Sequence, residues 1–448
     1  MSSESTATTV KEAMACSSNL DELFDQDRAK EILKQTLSVG TVNSETSSSV
    51  EPMNEARFLP CDEHQLRDIG RGSCGSVFEV PGTTFAIKKG ANTKAIWNDF
   101  NLTNHAYNSY FIWAGILSMN FPGRRVPRVP GGQVFNSPDS AEYWDVVLKR
   151  FPQGDRSRAA AFHVDRILPV PRPTRMALVR LFYHNDTQTQ HNVLSNQANR
   201  DCLIRVYLGS NNPSTQAYDV TDTLRNFPLY LDQAKLVGLD ITAYAEEMAI
   251  GLAILHWQAQ IDAADTEFVI GSSTSTTFRT RYPNHQARPP PTSTVDDFAR
   301  REIQMWMLDY DKCREVDLSA KDAASAVVNQ YLVAVTGNDP YFPHPCLDTE
   351  LWQRFRAAYL KASELILRLR GLEVAVDFPG MLIEKWEEWG EKDMEASEFD
   401  PFARDGGGSN EDRGWGSDGL EGEITDSDSE EGGEDDDDDD DEEDEEDD

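Results

Sequence analysis

Apolar positions change period along the chain, and each change predicts a change of architecture. From Phe58 to about Gly90, short apolar runs alternate with bends marked by glycine and proline. Leu66–Gly70, Ser76–Val80 and Thr83–Lys88 therefore read as a three-stranded antiparallel meander, with Pro81-Gly82 turning the second strand into the third. From Ala91 to Ser118 the spacing becomes helical, carried by Ile96, Phe100, Tyr107, Phe111 and Trp113 among others. Strands are expected again at Tyr143–Leu148 and Ala159–Val164. Beyond them, Ile241, Tyr244, Ala245, Met248, Leu252 and Leu255 recur at three- and four-residue steps, which predicts a helix over 241–259 with one face in a core. Further helices are expected near 173–184, 319–335, 349–370 and 379–393. The pattern as a whole predicts an α+β fold of two lobes, a small antiparallel β lobe at 58–167 and a larger α-helical lobe at 168–395.

Three segments fall outside this pattern. Residues 1–57 are rich in Ser and Thr and poor in aromatics, so a mostly disordered arm is expected. One helix at 19–37 interrupts it, with Leu20, Leu23, Phe24, Ile32, Leu33 and Leu37 as an apolar stripe for the core or for a partner. An insertion is expected at about 271–297, around the triple proline Pro289–Pro291. Residues 396–448 are expected to be a disordered acidic tail.

Charge sharpens that last reading. The 448 residues carry a net charge of −36, but 405–448 hold 25 carboxylates against Arg413 alone, leaving only −12 for the first 404 residues. An acidic excess has the wrong sign for a general nucleic-acid binder, so no direct nucleic-acid contact is expected. The tail would solubilise the chain, bind basic proteins such as histones, or mimic phosphate in a basic groove. Protein partners are otherwise unspecified. No run of 18 apolar residues occurs and the first residues lack a secretory pattern, so no membrane contact and a cytoplasmic and/or nuclear location are expected. Six cysteines at 16, 61, 74, 202, 313 and 346 form no Cys-x-x-Cys pair, and no zinc is expected.

The candidate chemistry begins at Gly70-Arg-Gly72-Ser-Cys-Gly75-Ser-Val77. In a dinucleotide-binding fold such glycines would open a helix, whereas here a strand continues and turns back, so the loop tops a hairpin. With Phe85-Ala-Ile-Lys88 following, the segment resembles the nucleotide-covering loop and third-strand lysine of protein kinases. That resemblance implies that Gly70, Gly72, Gly75 and Val77 cover ATP and that Lys88 meets its α and β phosphates. It further implies that Asp165 and Ile167 lie in the hinge that touches adenine. Asp262 would be the catalytic base, and Asp309 and Glu267 the magnesium ligands.

Departures from the kinase pattern are equally specific. No glutamate occurs between Glu79 and Glu142, so Lys88 is expected to be unpaired or paired differently, with Asp99 as the only acid in that helical stretch. Gln260-Ile261 replaces His-Arg, Ala264 replaces the lysine that neutralises the moving phosphoryl group, and Asp311 replaces a glycine. The expectation is a kinase-like protein, a pseudokinase, acting by nucleotide and/or protein binding. An active magnesium-dependent phosphotransferase with a degenerate catalytic loop and an acidic-tail binder of basic proteins are the alternatives.

A second resemblance spans about 58–395. Asn226-Phe-Pro-Leu229, Leu255-His-Trp257, Asp265-Thr-Glu-Phe-Val269, Met305 to Cys313 and Asn338-Asp-Pro-Tyr-Phe-Pro-His-Pro345 are similar to recurrent segments of an uncharacterised fungal family often labelled zinc-finger-protein-like. It implies a fungal source and no established activity.

Overall fold

The computed structural model describes residues 25–44, 64–274, 298, 300–318 and 324–399. Most of the expected arm before residue 58, most of the insertion and nearly all of the acidic tail lie outside the described residues.

The first described element, α1 (Gln26–Thr36), is capped by the Asp25 carboxylate, which accepts the Arg28 amide at 2.7 Å. Of the expected stripe, Leu20, Leu23 and Phe24 lie outside the described residues, while Ile32, Leu33 and Leu37 are buried in the core with Ala29. A short strand, β1 (Val42–Ser44), follows.

The smaller sheet holds β2 (Arg67–Gly72), β3 (Gly75–Glu79), β4 (Phe85–Gly90), β5 (Gly132–Asn136) and β6 (Ala160–Asp165), antiparallel throughout in the order β2-β3-β4-β6-β5. Between β4 and β5 runs α2 (Thr93–Asn120), started by the Asn92 side chain on the Ala95 amide. On one face of the sheet, Ile96 and Phe100 of α2 pack with Ala160 and Phe162. On the other, Phe78, Ile87 and Ala161 meet Trp144, Val147 and Phe151.

That second layer corrects the sequence reading. Residues 143–148 were expected as a strand, yet Ala141–Val147 is a helix, α3. Trp144, Val147 and Phe151 stand three and four residues apart, so a helical segment turns all three onto the sheet.

The larger sheet, in the order β1-β10-β9-β7-β8, comprises β7 (Ile204–Tyr207), β8 (Phe227–Tyr230), β9 (Glu267–Thr274) and β10 (Arg300–Leu308) beside β1. The β9/β10 ladder is antiparallel from Arg301↔Thr274 to Leu308↔Glu267, and β7/β8 is parallel. Around it lie α4 (Arg172–Phe182), α5 (Thr187–Ser195), α6 (Leu231–Val237), α7 (Ile241–Ile254), α8 (Ala324–Thr336), α9 (Thr349–Arg370) and α10 (Phe378–Phe399). Helix α7 is apolar on nearly every side, as a helix enclosed by others must be, and runs on into a π-helical turn at Leu255–Ala259. The fold is α+β. Among the described residues, no helix is long and apolar enough to cross a membrane.

Candidate functional site

Strand alternation puts Ala86 and Lys88 on one face of β4 and Ile87 on the other. The Lys88 ammonium lies 2.7 Å from Asp99 Oδ2 on α2 and 2.8 Å from Asp309 Oδ1, the residue that follows β10. Of the two expectations for Lys88, unpaired or paired differently, the structure has the second: Asp99, in the second turn of α2, supplies the carboxylate. Asp99 is 2% exposed and also accepts the Tyr310 amide at 3.1 Å. Burial alone would lower the Lys88 pKa, but Asp99 and Asp309 outweigh it and hold the ammonium well above its ordinary value. Burial pushes Asp99 upward, with Lys88 opposing and Asp309 reinforcing. Asp309 itself sits at φ +66, a left-handed backbone that a non-glycine residue adopts only under the constraint of its surroundings.

Above Lys88 the glycine hairpin is tight. Gly72 pairs with Gly75, leaving Ser73 and Cys74 as a two-residue turn. At Gly75 a Cβ would come within 2.3 Å of the Lys89 carbonyl oxygen, so glycine there is required by the β3/β4 contact. At Gly72 a Cβ would meet nothing within 4 Å, and at Gly70 only Val77 Cβ at 4.0 Å. Val77 lies opposite Lys88 in the β3/β4 ladder. The turn bends toward the acidic segment after β10: burial and a hydrogen bond with Asp311 push the Cys74 thiol up to about 11.

Glu267, the first residue of β9, pairs with Arg205 of β7, whose other nitrogen lies 3.3 Å from Asp339. Burial, with Asp309, Asp339 and Asp265 adding to it and Arg205 opposing, pushes Glu267 up to about 7. Asp311 is raised by burial and by Asp309. Asp265 holds Lys312 at 2.7 Å. Asp262 is 3% exposed and accepts from the Ala264 amide at 3.2 Å, the Arg314 amide at 3.0 Å and the Gln330 side chain at 3.0 Å. Its carboxylate thus fixes the loop between α7 and β9.

The segment that follows β6 is committed to internal bonds. The Asp165 carboxylate accepts the Gly131 amide at 2.9 Å and the Gln133 side chain at 3.3 Å. Ile167 lies over Gly271, where a Cβ would approach its Cγ2 to 2.5 Å. The Arg166 amide donates to the Thr84 carbonyl and the Leu168 amide to that of Ser272. Beside them Asp201 binds Arg67 through both oxygens, at 2.5 and 2.8 Å, while Arg166 pairs with Glu79 at 2.5 Å.

The structure therefore brings Lys88, Asp99 and Asp309 into contact, with Asp311 beside Cys74 of the glycine hairpin and Glu267 paired with Arg205, while Asp262 is enclosed behind its loop and Asp165 and Ile167 are engaged in the segment after β6. Sequence reasoning missed Arg205, Asp339 and Lys312 as parts of this charge set; an arginine on a short apolar strand was the available signal for the first. Among the described residues, no group of three or more His, Cys, Asp or Glu side chains is arranged to hold a metal ion.

A family model described as "Zinc finger protein" matches residues 305–371, from inside β10 through Asp309 and α8 to the end of α9. Searches of curated proteins and of solved structures give no match. Cys74, Cys202, Cys313 and Cys346 are free thiols, and no zinc ligand set accompanies them among the described residues.

Proposed function

We propose that this chain is a two-lobed, protein-kinase-like module that keeps the phosphate-binding end of a nucleotide cleft and acts by binding rather than by phosphoryl transfer. The observation that carries the reading is Lys88 held between Asp99 and Asp309 beneath a glycine hairpin, on a sheet of order β2-β3-β4-β6-β5. Open space at Gly72 suits a phosphate approaching the backbone, and the two carboxylates Asp309 and Glu267 suit magnesium, which usually takes one or two carboxylates and completes its shell from phosphate and water. Bound there, the ion would neutralise phosphate charge; Lys88 would face the α and β phosphates.

Loss of transfer is supported by two residues. Ala264 puts no cation where the catalytic-loop lysine would stand, and removing one such electrostatic contact commonly costs about 10²–10³ in rate. The Asp262 carboxylate is buried and already accepts three hydrogen bonds. Lys312 favours the rival reading of an active phosphotransferase, because it brings an ammonium to Asp265 in the same loop. Phosphorylation of an acceptor, lost on both Asp262→Asn and Lys312→Met, would establish that rival.

Thermal-shift titration of the full chain with ATP and magnesium tests the binding reading, since a ligand that binds only the native state at 100 times its Kd stabilises by about 2.7 kcal/mol. Lys88→Ala is a poor probe, because it strips the buried Asp99 of its counter-ion. Gly72→Ala is better: it should fold as the parent does and bind nucleotide more weakly. Asp309→Asn should remove the magnesium-dependent part of the shift. Equal stabilisation by ATP with and without magnesium would sink the metal assignment, and no shift at millimolar nucleotide the reading itself.

A further inference from the structure

On the face of the smaller sheet away from Lys88, a second set of polar side chains is enclosed beneath α3. Arg150 is 7% exposed. Its Nε donates to the His64 carbonyl at 2.9 Å, while its Nη2 has no hydrogen-bond partner among the described residues, nor does the guanidinium pair there with a carboxylate. His163 of β6 and Tyr143 of α3 stand edge to face, ring centroids 5.8 Å apart. His163 Nε2 and the Tyr143 hydroxyl are likewise buried and unpartnered among the described residues. The charge of Arg150 reaches both: burial first and then Arg150 push His163 down to about 4, and Arg150 opposes the upward push of burial on Tyr143.

A buried guanidinium with no opposing charge is costly, and ordered water can satisfy its hydrogen bonds without neutralising it. All three orphaned atoms can donate: Nη2 always, the hydroxyl by rotation, and Nε2 in one tautomer or as imidazolium. A buried cation and two unpartnered donors in the layer between α3 and β6 suit a group that only accepts. Tyr143 and His163 retain partial exposure, which leaves a way in. We propose that Arg150, His163 and Tyr143 form an oxyanion site on the outer face of the smaller sheet, separate from the cleft and independent of the nucleotide reading.

The probe is inorganic phosphate added to the full chain in chloride buffer without magnesium, read by thermal shift and phosphorus NMR. A saturable stabilisation is expected. Arg150→Met should weaken it about tenfold or more, the scale of one charge-assisted hydrogen bond, and leave the response to magnesium and ATP unchanged. Should Arg150→Met not unfold cooperatively, Tyr143→Phe, which removes a single hydroxyl, should weaken phosphate about threefold or more. An equal response in the parent and in Arg150→Met or Tyr143→Phe, or none in the parent, overturns the proposal and leaves ordered water as the occupant.

Discussion

Asp99, one methylene shorter than a glutamate, reaches Lys88 at 2.7 Å. Lys88 and Asp309 were legible because their neighbours form recognisable strings. Asp99 was legible as the only acid of its helix, but its contact with Lys88 was not, because the register between α2 and β4 is a tertiary quantity that no local spacing encodes. Buried acids elsewhere were equally hidden, and Glu247 on α7 gives the clearest test. Its side chain accepts the Arg125 amide at 2.9 Å, its second oxygen has no partner among the described residues, and burial pushes it up to about 7. A carboxyl whose pKa is raised on folding favours the folded state fully below the unfolded value near 4.5, and that contribution is lost as pH rises through 7. Glutamine can keep the Arg125 bond without the charge. Glu247→Gln should therefore match the parent in thermal stability near pH 4.5 and exceed it by about 2–3 kcal/mol at pH 8, at 1.36 kcal/mol per pKa unit. A difference that does not change with pH would show that Glu247 is not the titrating group.

At the scale of elements, the long periodic helices were readable: 349–370 was expected and Thr349–Arg370 is found, and 379–393 was expected where Phe378–Phe399 runs six residues further. Short elements were not. β5, β7 and β8 have four or five residues each and owe their strand state to neighbours that pair with them. The 143–148 segment was misread because a short apolar run fits both periods, and only the sheet beneath it selects the helical one. Helix α1 shows the same dependence from the other side, since the stripe left open whether it faces the core or a partner. Leu33 is 0% exposed within the main core, and the Tyr244 hydroxyl donates to the Leu37 carbonyl at 2.7 Å just beyond the helix. Leu33→Ala should accordingly cost about 2–5 kcal/mol in denaturant unfolding, the range for a buried leucine that leaves a cavity. A cost below about 0.5 kcal/mol would mean that α1 detaches in solution.

For the whole molecule, the parts of the chain that carry the two sheets are tied by Arg67 and Arg166 around Asp201 and Glu79, and by Lys88 with Asp309. Both ties bring charges from distant parts of the chain together, and neither was visible in sequence, where a lone arginine reads as surface. The acidic run was visible because it needs no fold: 25 carboxylates within 405–448 repel one another whatever the rest does. We propose that this segment binds basic proteins through screened charge pairs, apart from the cleft. With a Debye length of about 8 Å at physiological ionic strength, such contacts weaken steeply as salt is added. Removing 405–448 should reduce binding to purified histones about tenfold or more at low salt, with the gap closing by about 0.5 M salt. The same truncation should leave the melting temperature and the response to magnesium and ATP where they were, because a run of like charges offers almost nothing to bury. Histone binding that survives the truncation at low salt would move the binding surface onto the rest of the chain, and a changed nucleotide response would show the tail acting at the Lys88 site.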